Sequence, residues 1–151
     1  MTDQQIWYQN ITFWSALCAW FLAQTIKMVG HFAATKKIDF RYWVSTGGMP
    51  SAHSAMVCAL ATSVAFVAGL HSALFAVATA FAIVVMFDAQ SVRHAAGMQA
   101  RLLNQMVDEL FKEKHFASQK LKEFLGHTPL EVFMGMILGI LVGIVMNLNF
   151  G

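Results

Sequence analysis

The stretch GHTPLEVFMGMILGILVGIVMNL, Gly126 to Leu148, decides the fold. From Pro129 onward it is apolar apart from Glu131 and Asn147, and it is long enough for a spanning helix, which needs about 20 mostly apolar residues. It starts as helices start. Thr128-x-x-Glu131 is a capping-box pattern, and Pro129 suits the first helical position because its missing N–H would have no partner there. Gly135, Gly139 and Gly143 recur every four residues, so they line one face and let another backbone come close. That partner is either a helix of the same chain or a second copy, and burial of the helices against each other favours the same chain.

Working outward, three more blocks read the same way. They run over about residues 11–34, 52–69 and 72–93, beside 129–148. The turn Gly69-Leu70-His71-Ser72 separates the second and third blocks, and Gly47-Gly48 marks a turn before the second. Between the third and fourth blocks, Leu102, Leu103, Met106, Val107, Leu110 and Phe111 recur at helical spacing. The segment 99–125 is therefore expected to be an amphipathic helix. It either lies on a membrane surface or packs, solvated, on its neighbours. The expected fold is an all-α, polytopic membrane helix bundle with about four transmembrane helices plus this amphipathic one. Its 151 residues form a single domain.

Composition agrees. The chain is 58% hydrophobic and 12% charged, against about 25% charged for ordinary soluble domains. A net charge of +2, with no basic patch interleaved with aromatics, argues against nucleic acid as a partner. The two cysteines, Cys18 and Cys58, lie in apolar runs without ligand spacing, so they read as buried thiols and no metal site is expected. The first ten residues hold no Lys or Arg, unlike a secretory signal, so the first block reads as a retained helix. All ten Lys and Arg residues fall in or beside the two long loops. The positive-inside rule then places those loops in the cytoplasm and both termini outside, most simply across the cytoplasmic membrane.

Three clusters could carry chemistry on that one face. In Thr46 to Ser54, Gly47 and Gly48 permit close approach of a ligand, and a helix N-terminus offers amides to an anion. Ser51 adds a hydroxyl, His53 sits in the first turn and Ser54 stands beside them; the plainer reading is a capped helix start. In Gly126 to Glu131, His127 and Glu131 are one turn apart, the arrangement that fixes an imidazole tautomer for nucleophilic attack. A capping box alone explains the same residues. Around the end of the third block, Arg93 is suited to clamp phosphate and Asp88 to pair with a cation, or both simply mark the membrane boundary. Lys27, one turn from Gln24 and His31, is a further cation that either serves the site or snorkels.

At these residues the chain resembles the type 2 phosphatidic acid phosphatase (PAP2) superfamily, in its small divergent membrane branch. Pro50-Ser51-Ala52-His53 is similar to the superfamily's Pro-Ser-Gly-His. His127 to Glu131, followed by Val132 to Gly135, is similar to its His-x3-Asp motif with Glu for Asp. The stretches 47–54, 88–104 and 126–135 resemble the branch's hallmarks. The superfamily's Lys-x6-Arg-Pro motif has no counterpart at Arg41, which Tyr42 follows, and Leu121 stands where its later Arg would be. The resemblance implies His127 as nucleophile, Glu131 as its orienter and His53 as general acid. Ser51, Gly47 and Gly48 would hold phosphate oxygens, with Lys36, Lys37 and Arg93 supplying positive charge. No cofactor or metal is implied. The expected activity is hydrolysis of a phosphomonoester or pyrophosphate, lipid or lipid-linked, through a phosphohistidine. The residues leave two alternatives open: a non-catalytic binder of phosphorylated head groups, or a small ion or proton transport component using Asp88 and the histidines.

Overall fold

The computed structural model describes residues 9–36, 48–110 and 127–151, with the side chains of 92–96 and 108–110 outside the description. Five helices and no strand occur among the described residues: α1 (Ile11–Thr35), α2 (Ala52–Ala68), α3 (Ala73–Gln90), α4 (Val92–Leu110) and α5 (Pro129–Phe150). The fold is all-α.

Each start has a local cause. The Asn10 side chain accepts from the Phe13 N–H (3.1 Å), and Ser72 does the same for Phe75 (3.1 Å), satisfying N–H groups that lack a partner within their helices. The turn between α2 and α3 needs its glycine, because Gly69 sits at φ +84°. The Ser72 hydroxyl closes that turn on the Gly69 carbonyl at 2.8 Å.

The core is built from small residues. Ala19 and Ala23 of α1 pack on Ala52, Ala55 and Ala59 of α2. On its other side α2 meets Ala78 and Ala82 of α3 through Val57, Cys58, Ala61 and Val64. α2 is thus central, touching α1, α3 and α5. The glycine stripe of α5 faces α2 of the same chain. A methyl at Gly135 would run into the Ser51 carbonyl, one at Gly139 into the Ala55 carbonyl, and one at Gly143 would lie 2.7 Å from Thr62 Cβ. A homo-oligomer built on the Gly135, Gly139 and Gly143 face would have to displace α2 from it.

Polar links reinforce the far end. Ser63 Oγ lies 3.1 Å from Thr12 Oγ1 and 3.2 Å from Asn147 Oδ1, joining α1, α2 and α5. Its one proton goes to the Asn147 carbonyl oxygen, so Thr12 donates to Ser63.

Several expectations shift. Of the four expected spans, α3 and α5 are long and apolar enough to cross a membrane. α2 is apolar but only 17 residues long, and α1, with 25, carries Gln24, Lys27 and His31 in its second half. The third block does not run through to residue 93. α3 ends at Gln90, where the Ser91 hydroxyl turns back to the Phe87 carbonyl (2.7 Å), and Arg93 belongs to α4. The amphipathic helix accordingly starts at Val92 rather than at residue 99, and the part expected beyond Leu110 lies outside the described residues. Of the cysteines, Cys58 is buried but Cys18 is exposed, on the outer side of α1.

Candidate functional site

The first turn of α5 is built around one carboxylate oxygen. Glu131 Oε2 accepts from the Thr128 N–H at 3.1 Å and lies 3.0 Å from His127 Nδ1. The Thr128 hydroxyl returns the favour to the Glu131 N–H at 3.3 Å, completing the capping box. The capping and histidine-orienting readings of this cluster therefore hold together, through a single oxygen rather than one oxygen each. An ionised carboxylate only accepts, so His127 carries a proton on Nδ1, and in the neutral ring the lone pair is then on Nε2. His127 is 1% exposed and Glu131 about a fifth.

Main-chain bonds fix this turn against its neighbours. The His127 N–H donates to the Ala89 carbonyl at the end of α3 (3.2 Å). The Ser51 N–H donates to the Glu131 carbonyl (2.9 Å), locking the start of α2 to the start of α5. Sequence reading could not supply either bond, because both join backbone groups distant in the chain.

That lock brings the histidines together. The His53 and His127 ring centroids are 6.3 Å apart, with the planes inclined at 60°. At this spacing the two rings are neighbours at the joined helix starts. Ser51 and Ser54, both fully buried, lie one turn apart at the same helix start. Their hydroxyls are 3.0 Å apart, and Ser51 Oγ also accepts from the Ser54 N–H (3.4 Å).

α1 contributes the cation. Lys27 is 6% exposed, and its stem runs beside Gly48, where an added methyl would lie 3.8 Å from Lys27 Cδ. Gly48 adopts φ +92°, which an L side chain resists, so the backbone before α2 depends on glycine here, while the contact with Lys27 would be an ordinary one. Glu131 exerts its electrostatic pull on the same ammonium. Gln24, one turn back on α1, is also buried. Lys27, Gly48, Ser51, Ser54, His53, His127 and Glu131 thus form one cluster where α1, α2 and α5 meet.

Other expected members fall elsewhere. Lys36 is exposed in the left-handed cap of α1, roughly 13 Å of helix beyond Lys27. Asp88 is half-buried near the end of α3. Gly47 and Lys37 lie outside the described residues, as does the Arg93 side chain. Asn104, buried at 7% on α4, is not among the site candidates that the sequence offers, although it closes the 88–104 stretch of the family resemblance. No group of three His, Cys, Asp or Glu able to hold a metal occurs among the described residues.

Comparison with known proteins agrees with the family resemblance. An uncharacterized membrane protein of Bacillus subtilis (strain 168), YuiD, is 45% identical over 148 residues, spanning 91% of this chain and 94% of its own. No solved structure matches. Residues 8–142, which include every member of the cluster, match the Divergent PAP2 family, and the chain belongs to that family.

Proposed function

We propose that the protein is an integral membrane phosphatase acting on a phosphomonoester or pyrophosphate carried by a lipid. The observation that carries this reading is the pairing of His53 with a buried His127 whose Nδ1 is held by Glu131. An imidazole oriented by a carboxylate, with a second imidazole nearby, is suited to covalent phosphoryl transfer.

In this reading the His127 Nε2 lone pair attacks phosphorus. The bond to the leaving oxygen breaks, and protonated His53 gives that oxygen its proton. Neutral His53 then takes a proton from water as the water oxygen attacks the phosphohistidine. The P–N bond breaks and its electron pair returns to Nε2. Lys27, the Ser51 and Ser54 hydroxyls and the backbone at Gly48 hold the phosphoryl oxygens, where preorganised donors in a dry site act most strongly. Gly47 keeps the phosphate-holding role that the family resemblance implies, and Lys37 and Arg93 stand in for the positive charges whose family positions are not matched in this chain.

A lipid substrate is supported by a groove of about 460 Å³ between α3 and α5, lined by Met86, Gln90, Pro129, Val132, Phe133 and Met136. Its upper wall, Gln90 and Pro129, adjoins the residues that position His127. A tail lying there would leave its phosphate at the cluster. All four long apolar helices cross the bilayer in this reading: at 1.5 Å per residue, α2 spans about 25 Å and α1, α3 and α5 span more. The charge pattern puts the cluster on the cytoplasmic side and both termini outside.

The test is direct. Purified protein is incubated with labelled phosphatidic acid, phosphatidylglycerophosphate and an isoprenyl pyrophosphate. Release of phosphate that disappears in His127→Ala supports the reading. Saturable binding without release from any of the three replaces it with a head-group binder.

A further inference from the structure

We infer that α4 is an in-plane membrane anchor, seated with the side that carries Met98, Leu102, Leu103 and Met106 in the lipid interface and the side that carries Gly97 and Asn104 turned away from it. The helix is turned opposite to a helix packed on a protein core. Gly97 and Asn104 are buried, and Ala100 and Val107 partly so. Met98, Leu102, Leu103 and Met106 are instead exposed, Leu102 by 53% and Met106 by 55%. At about 100° per residue, these four cluster on the side of the helix facing away from Gly97 and Asn104. Arg101 and Gln105, also exposed, flank them on one edge, and Gln99 is the one polar side chain of described position within the apolar arc.

A helix in water would bury the four apolar residues and expose Asn104. The inverted arrangement fits a non-aqueous medium outside the protein, with a charged edge at the head groups. Position names that medium. α4 follows α3 after the single residue Ser91, and α3 is an apolar helix of spanning length with Leu74, Val77, Phe81 and Val84 exposed along it. The exposed apolar surface therefore continues from α3 onto α4 where the bilayer ends. A second copy is the weaker occupant, because the arc from Met98 to Met106 is only about 13 Å long, far short of a standard protein interface.

The inference rests on the reading of α3 as a span, and the experiment separates the two. Cys18→Ser and Cys58→Ala give a background for single labels at Leu102→Cys, Met106→Cys, Arg101→Cys, Gln105→Cys and, on α3, Phe81→Cys. The full chain, spin-labelled, is placed in phosphatidylcholine–phosphatidylglycerol vesicles, and collisions with oxygen and with a water-soluble nickel chelate are measured. Labels at Leu102 and Met106 are expected to lose chelate collisions and gain oxygen collisions relative to Arg101 and Gln105. Equal chelate access at all four positions of α4, with Phe81 rich in oxygen, overturns the anchor and leaves the span. Chelate access at Phe81 overturns both. Labels at Leu102 and Met106 shielded from both reagents, or dipolar coupling between copies at Leu102, assign the face to protein and overturn the anchor. All five positions are at least partly exposed, so the labels do not disturb packed side chains.

Discussion

Ser51 of α2 donates its backbone N–H to the carbonyl of Glu131 in α5, at 2.9 Å, so the two helix starts that carry the histidines are bonded directly to each other. Four residues further along α5, Gly135 rests against the Ser51 carbonyl. The spacing of His53 from His127 is therefore set by how closely two backbones approach.

Gly135→Ala tests that dependence. The added methyl meets backbone, which cannot swing aside, and overpacking of this kind costs about 1–3 kcal/mol. Thermal unfolding in detergent is expected at a lower temperature, with a matching fall in phosphate release. Gly30→Ala is the control: nothing lies within 4 Å of the new methyl, so stability should hold or rise slightly.

Glu131 has two duties that substitution can divide. Gln keeps the capping-box pattern but loses the charge that steadies an imidazolium. Glu131→Gln is expected to unfold near the parent temperature while phosphate release falls roughly 10²–10⁴-fold. Glu131→Ala should lose the same activity and about 1 kcal/mol of stability as well. Equal melting temperatures for the two variants would contradict the shared role.

Lys27→Met addresses the buried ammonium. A hydrogen bond to a charged group is worth about 1.5–3 kcal/mol, so KM should rise roughly 10- to 100-fold. Stability should be unchanged or improved, since an apolar side chain of similar length replaces a buried charge. A KM at the parent value would remove Lys27 from the phosphate site.

At the other end of the bundle, Ser63→Ala breaks the links to Thr12 and Asn147. Hydrogen bonds between membrane helices average about 0.6 kcal/mol, so a small loss of stability is expected with activity intact. A large loss of activity would mean that the two ends of the bundle are coupled.

Much of this was legible in the residues themselves. The pattern of α5, its cap and its glycine stripe are local or periodic, and they appear in the structure where the sequence puts them. His53 and His127 could be singled out by the helix starts on which they sit. The cation was harder. Lys36 and Lys37 stand nearest the expected motif, yet among the described residues the lysine within the cluster is Lys27, the candidate that sequence left open between serving the site and snorkelling, since helical phase turns it toward Gly48. The break at Ser91 has no sequence signature, because a single serine whose hydroxyl bonds to the Phe87 carbonyl leaves no mark in hydropathy. The orientation of α4 was undecided for a related reason: periodicity identifies an apolar side but not what that side faces.

The double duty of Glu131 Oε2 ties readiness to integrity. If the first turn of the last helix frays, the same event strips His127 of the group that assigns its tautomer, so a loosened chain is chemically silent rather than loosely active. An acid one methylene shorter, as in the superfamily's His-x3-Asp motif, would meet the two donors from a receded position, so the sharing of one oxygen between cap and imidazole belongs to the glutamate of this chain.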